Sequence, residues 1–200
     1  MMDQQTIQKT VFRSYDIRGI YGKDIDEDIM RRIGTAFASV STKNIVIAND
    51  GRKSSLSLKA AFIAGFGRTA IDVGTVPLGV GMFYAMNKYD FAYITASHLG
   101  KEWNGVKFFH KNGIGFMEQE NMKVADMFKT VDARRTGKST KEDTKKIIDS
   151  YVSYVAGKVS PSKKLDVILD CGNGMAGVVA KYLFTKAGFN AKAMFDNVDG

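Results

Sequence analysis

The sequence predicts an α/β fold, because strand-like and helix-like segments alternate along it. Two patterns carry this reading. Apolar residues recur at every fourth position over long stretches, and short apolar runs end at Gly, Asn or Asp. The length of 200 residues suits one domain and a fraction, or two small ones.

Ile29, Ile33 and Phe37 give residues 26–40 one apolar helical face, and Asp24, Asp26, Glu27 and Asp28 crowd the start, where the helix dipole favours negative charge. Residues 44–48 (NIVIA) form a short buried-strand pattern closed by the turn signal Asn49-Asp50-Gly51. A helix over 54–68 follows, with Leu58, Phe62 and Phe66 on one face. A strand is expected over 71–76, a short helix over 80–87, and strands over 90–95 and 105–109. Phe83, at helical spacing like Phe62 and Phe66, is expected in the core. Residues 118–129 predict a helix, and the polar run to Thr144 a linker. A helix over 142–157 then places Ile147, Tyr151, Tyr154 and Val155 on one face. Ser160-Pro161-Ser162 reads as a boundary, dividing the chain into units 1–158 and 159–200. The second unit offers a strand over 165–169, a helix over 176–187 and a strand over 191–195. One helix and two strands cannot cover both faces of a parallel sheet, so this unit is expected to be incomplete on this chain.

Composition narrows the class. The chain is 44% hydrophobic and 25% charged, within the globular range. It has no apolar run long enough for a membrane helix, and residues 1–10 lack the apolar stretch of a signal peptide. The single cysteine, Cys171, allows no intrachain disulfide and is expected to pack at a strand end. A cytoplasmic protein that engages no membrane is the expectation. The net charge of +8 raises nucleic acid as a partner, but the densest basic stretch, 134–146, also holds Glu142 and Asp143 and reads as a solvated linker and helix face. A protein that handles small anions fits the scattered surplus better.

The chemistry concentrates in residues 93–109, YITASHLGKEWNGVKFF. A strand delivers Ser97 and His98 into a polar loop, and a second strand leaves it. A serine hydroxyl needs a base, a metal or a charge-stabilising setting to act as a nucleophile. His98, Lys101 and Lys107 are candidates for that help. The same residues also fit a chance Ser-His pair and an ordinary exposed strand lysine. No Gly-x-Ser-x-Gly elbow surrounds Ser97, which weakens an acyl-hydrolase reading.

Thr95-Ala96-Ser97-His98, followed by Lys101-Glu102-Trp103-Asn104-Gly105-Val106-Lys107-Phe108, closely resembles the serine loop of the α-D-phosphohexomutases. Three further segments are similar to that family in the same order: Phe12 to Gly19 (FRSYDIRG), Asp50-Gly51-Arg52, and Asp170-Cys171-Gly172-Asn173-Gly174. The resemblance implies a mixed sheet flanked by helices, followed by the start of a second α/β domain. It implies an intramolecular phosphotransferase that moves phosphate between C1 and C6 of a hexose phosphate, of glucose or mannose, through a phosphoserine and a bisphosphorylated sugar. Carried over, Ser97 is the phosphoryl carrier, Lys107 the general acid/base, and Arg18 and His98 active-site contacts. Arg52 is left open between a structural role and a substrate contact. The resemblance also implies Mg²⁺, to which this chain would contribute only the phosphate on Ser97. The family's Asp-x-Asp-x-Asp-Arg loop does not occur here. The remaining ligands are expected from further C-terminal domains or a second chain, and the 200 residues alone are expected to be inactive. Leu99-Gly100 stand where the family has Asn-Pro, which keeps a second reading open: a non-catalytic sugar-phosphate-binding or scaffold protein of the same fold.

Residues 172–177 (GNGMAG) match a dinucleotide fingerprint in form, with Asp196 some twenty residues on. The resemblance favours a structural role for these glycines. His110 has no partner at metal-ligand spacing and reads as a surface histidine, and no P-loop occurs.

Overall fold

A computed structural model describes residues 10–41, 43–132 and 136–200. Most of the polar N-terminal stretch, and Arg134 and Arg135 of the basic run, lie outside these residues. The elements are β1 (Ile17–Ile20), α1 (Glu27–Val40), β2 (Ile45–Asn49), α2 (Ser55–Phe66), β3 (Thr69–Thr75), α3 (Leu78–Ala85), β4 (Asp90–Ile94), β5 (Trp103–Phe109), α4 (Glu118–Thr130), β6 (Lys138–Lys141), α5 (Thr144–Ala156), β7 (Asp166–Asp170), a 3₁₀ turn (Met175–Val178), α6 (Ala180–Lys186) and β8 (Asn190–Met194). Six strands form one mixed sheet in the order β1-β5-β4-β2-β3-β6, in which β5 alone runs antiparallel to its neighbours. Strands β7 and β8 pair in parallel as a separate sheet.

The large sheet has a core on each face, and β2 shows why. Its run Ile45-Val46-Ile47-Ala48 is buried throughout, as a central strand covered on both sides requires. Ile45 and Ile47 join the core shared with α1, α2 and α4, whereas Val46 and Ala48 join the one under α3 and α5. In the first core Phe37 stacks on Phe108 at 4.1 Å, with Phe62, Phe66 and Phe116 around them. The predicted faces of α1 and α2 are confirmed: Ile33, Phe37, Leu58, Phe62 and Phe66 are all fully buried. Asp26 caps α1 by accepting from the Ile29 N–H at 2.8 Å. Asp24 instead closes the preceding turn, accepting from the Ile20 N–H at 3.0 Å.

Four expectations need correction. Phe83 is only partly buried and sits against Tyr151 and Tyr154, with ring centroids at 5.6 and 5.2 Å, in an outer aromatic cluster. On α5 the buried positions are Ile147, Val152 and Ala156, while Tyr154 turns outward. The polar run before Thr144 contains β6, which pairs in parallel with β3 at the sheet edge. Its sequence, Lys-Ser-Thr-Lys, is wholly exposed and gives no apolar alternation to read, and lysines suit an edge that must not pair with other chains. The helix expected over 176–187 is a 3₁₀ turn followed by the short α6, broken at Val179, whose φ is −131°. β1 was not anticipated at all, since Ile-Arg-Gly-Ile is short and holds a glycine. Arg68 fastens the C-terminal end of α1, donating to the carbonyls of Ser41 and Ala38.

Helices α1 and α2 cross closely enough that a Cβ on Gly65 would lie 1.7 Å from the Arg31 carbonyl oxygen. At the same crossing Thr35 donates its hydroxyl to the Gly65 carbonyl at 2.9 Å. Gly65→Ala must therefore push the helices apart and is expected to cost about 1–3 kcal/mol. Leu56→Ala, on the exposed side of α2, should stay within about 0.5 kcal/mol of the parent. Urea unfolding of the two variants checks both.

Candidate active site

The candidate site lies where several strands of the large sheet end together. Arg18 on β1 is level with Gly105 on β5; Gly105 accepts from the Thr95 N–H just past β4; and Asp50, just past β2, donates its N–H to the Ile94 carbonyl. Arg18, Gly105, Thr95 and Asp50 thus form one row across the sheet. Loops at such strand ends are where α/β proteins hold their ligands.

Asp50 organises the row. One carboxylate oxygen accepts from the Arg52 N–H at 3.1 Å and the Ser55 hydroxyl at 2.6 Å. The other accepts from Arg52 Nε at 3.1 Å and the Thr95 hydroxyl at 2.7 Å. Thr95 Oγ1 in turn accepts from the Ser97 N–H at 2.9 Å. The Arg52 guanidinium reaches over the loop, Nη1 donating to the carbonyls of Gly100 and Trp103 at 2.6 and 3.1 Å, Nη2 to those of Ser97 and Leu99 at 3.1 and 2.7 Å. Buried Asn104 ties the outgoing strand to the start of α2, donating to Ser54 and Ser55 at 2.8 and 3.0 Å. Ser97 stands at the tip of this network, exposed, with φ at 60°. That left-handed conformation is uncommon for a non-glycine residue and persists only where the surroundings impose it.

Arg18 and Lys107 come together through Asp16, a buried carboxylate on which sequence reasoning placed no role. Asp16 lies 3.3 Å from Arg18 Nε and 3.8 Å from Lys107 Nζ. The Arg18 Nε–H is not aligned for a hydrogen bond and is left without a partner among the described residues. Alternation explains the grouping: Ile17 and Val106, paired across β1 and β5, point into the core, so their neighbours Asp16, Arg18 and Lys107 share the other face. His98, exposed beside Ser97, takes no part in the hydrogen bonds just described. His110 binds Glu120 at 2.8 Å, away from the serine loop.

A cleft of about 250 Å³ opens in front of Ser97. Leu99 and Lys101 line it from the serine loop, Arg52 from the turn after β2, and Asn173, Met175 and Val198 from the second unit. The glycine-rich turn that mimics a dinucleotide fingerprint spends its N–H groups internally. Gly172 donates to Asp170, Asn173 to the Phe195 carbonyl and Gly174 to the Cys171 carbonyl, at 3.0, 2.7 and 2.9 Å. A Cβ on Gly177 would lie 2.1 Å from the Asp196 carbonyl oxygen, so this glycine serves close packing. Cys171 is buried just past the end of β7. Among the described residues, no group of three or more His, Cys, Asp or Glu side chains is arranged to hold a metal. Nor is any helix of the described residues long and apolar enough to cross a membrane.

Fold and site together define an α/β domain that presents a strained serine at a strand end. Residues 9–135 match the family described as phosphoglucomutase/phosphomannomutase, alpha/beta/alpha domain I, and the chain belongs to that family. It is 32% identical to a phosphomannomutase/phosphoglucomutase of Pseudomonas putida over 96% of the chain and 42% of that protein. A phosphoglucosamine mutase of Methanocaldococcus jannaschii is 30% identical over 94% of the chain and 43% of that protein. Among solved structures, a phosphoglucomutase/phosphomannomutase family protein of Burkholderia thailandensis superposes with a TM-score of 0.81 at 30% identity, covering the whole chain and 45% of its own. The fold is shared with a Thermus thermophilus structure at a TM-score of 0.75 and 15% identity. The chain thus spans less than half the length of these relatives.

Tyr93, beneath the serine loop, donates its hydroxyl to the Val76 carbonyl at 3.0 Å. Burial above all, with the Asp50 charge adding to it, raises its ionisation above the ordinary phenol range. The unfolded chain therefore loses this proton first, near pH 10. The stability that Tyr93 contributes is whole below that pH and is lost as pH rises beyond it. Urea titrations between about pH 9 and 11 should show a steeper alkaline loss for the parent than for Tyr93→Phe, the slopes differing by up to about 1.4 kcal/mol per pH unit.

Proposed function

We propose that this chain is the phosphoserine-bearing portion of a phosphohexomutase, with Ser97 as the phosphoryl carrier. The observation that carries the proposal is Ser97 itself: exposed, left-handed, and fixed by its own N–H and carbonyl at the strand ends of a domain I fold. Within this reading residues 1–158 form the first domain, and residues 159–200 begin the second.

Transfer out of phospho-Ser97 breaks the Ser97 Oγ–P bond and forms a bond from phosphorus to a sugar hydroxyl oxygen. The sugar hydroxyl gives up its proton to a base and the leaving Ser97 Oγ takes up a proton to become a hydroxyl again; the reverse exchange returns the sugar's other phosphate to Ser97. Such transfer depends mostly on positioning and charge neutralisation. Lys107, held as one of two cations on Asp16, is the proposed proton carrier. Arg18, its buried Nε facing Asp16, offers the rest of its guanidinium to the phosphoryl oxygens, and His98 offers a contact beside Ser97. Hexose phosphates of the glucose or mannose type are the proposed substrates.

Magnesium, implied by the resemblance, finds no sufficient set of carboxylates among the described residues, which would offer it only a phosphate on Ser97. The ion takes about six oxygen ligands. Asp50, the carboxylate that closes β2 beside Ser97, already accepts four hydrogen bonds. No step is therefore assigned to the metal here, and the mutase cycle is proposed to need groups supplied from outside these 200 residues. The Leu99-Gly100 departure bears less on the non-catalytic reading than the sequence suggested, because the loop is held through backbone carbonyls at both positions.

Incubation with glucose 1,6-bisphosphate, with the remaining domains of a relative supplied, should add one phosphate by intact mass, mapped to Ser97 and lost in Ser97→Ala. No adduct under these conditions would replace the enzyme reading with the binding-protein reading.

A further inference from the structure

We propose that Arg52 is a positioning residue for phosphoryl transfer, holding the serine loop from behind rather than touching the substrate. The proposal rests on the phosphoserine reading of Ser97. A guanidinium has five N–H donors, and all five are spent here: one on Asp50 and four on carbonyls between Ser97 and Trp103. Arg52 lines the cleft, yet it has no donor left for a sugar phosphate. Its two choices at the sequence level, structure or substrate contact, resolve toward the loop.

Two consequences follow from the geometry. First, four carbonyl oxygens are turned onto a cation, that of Gly100 while also accepting from the Trp103 N–H. A phosphoryl group on Ser97 concentrates negative charge at the loop, and free carbonyl dipoles there would oppose it. Arg52 removes that opposition by taking the carbonyl dipoles onto its fork, its own charge being balanced by Asp50. Second, the clamp reads backbone alone. Leu99 and Gly100 are gripped by their carbonyls, so the loop keeps its shape with those side chains in place of Asn-Pro. Lysine cannot substitute, since three donors on one nitrogen cannot span four carbonyls and Asp50. Asp50 fixes the fork in turn, and through Thr95 it reaches the Ser97 N–H.

The test is amide exchange by mass spectrometry on the 200-residue chain. In Arg52→Ala and in Arg52→Lys, peptides covering residues 96–104 should exchange at least about tenfold faster, a loss near 1.4 kcal/mol of local protection, while peptides from α1 and β2 keep the parent rates. Millimolar guanidinium should restore loop protection in Arg52→Ala, and ammonium should not. Leu99→Ala should leave the exchange unchanged. Unaltered loop exchange in either arginine variant, or equal loosening by Leu99→Ala, overturns the clamp. If Arg52→Ala does not fold, the lysine variant carries the same comparison. The rate of Ser97 phosphorylation, measured as above, should also drop at least tenfold in Arg52→Lys. Equal rates in parent and variant overturn the positioning role. No phosphorylation of the parent overturns both the role in transfer and the phosphoserine reading, while exchange still judges the clamp.

Discussion

The pairing of Asp50 with Arg52 is the constraint on which the site depends. A loop joining antiparallel β4 and β5 has carbonyl groups with no strand partner, and a polar group left unpaired away from water is costly. Here one arginine takes up three loop carbonyls and that of Trp103 at the start of β5, and one carboxylate accepts from the arginine, two hydroxyls and a backbone N–H. Each charge is neutralised by the other, so neither stands alone near the sheet. Thr95 carries the order one step further by donating to Asp50 and accepting from Ser97. The left-handed backbone at Ser97 is a product of this network.

The rest of the fold holds Asp50 and the serine loop in register. β2 and β4 run side by side, and Asn49 pairs with Ile94, which places Asp50 next to Thr95. Both strands are buried on two faces, so a slip of one residue would exchange the two cores. The α1–α2 crossing closes down to backbone contact at Gly65 near the end of α2, while at the start of the same helix the Ser55 hydroxyl donates to Asp50. A second buried ion pair, Lys59 with Asp72 at 2.7 Å, fastens α2 to β3. Stability and site geometry are therefore coupled through α2.

Much of the fold was legible because its signals are local. The apolar spacing of α1 and α2 and the continuous run of β2 express burial directly in sequence. Two kinds of feature were not legible. β1 and β6 are short, and β6 is polar throughout; their place is set by neighbours, Gly105 for Arg18 and Thr69 for Lys138, which no local pattern reveals. Phe83 and Tyr154 have apolar spacing but face an outer surface, because periodicity tells which residues share a face and not what covers it. Of the candidate site, Ser97, Arg18, Lys107 and His98 are named by resemblance alone, and the structure groups Arg18 with Lys107 through Asp16. The work of Arg52 was hidden because its partners are backbone carbonyls, which leave no mark on side-chain identity. The Asp50-Gly51-Arg52 match and the Asp two residues before the Arg marked the position but not the role.

The measurement that bears most directly on this account is the nuclear magnetic resonance of the Arg52 guanidinium in the 200-residue chain. If five N–H groups are held by five acceptors, rotation about the Nε–Cζ bond is blocked. Distinct, slowly exchanging Nη signals with couplings to the carbonyl carbons of Ser97, Leu99, Gly100 and Trp103 are the predicted result. A single averaged Nη signal in fast exchange with water would contradict it.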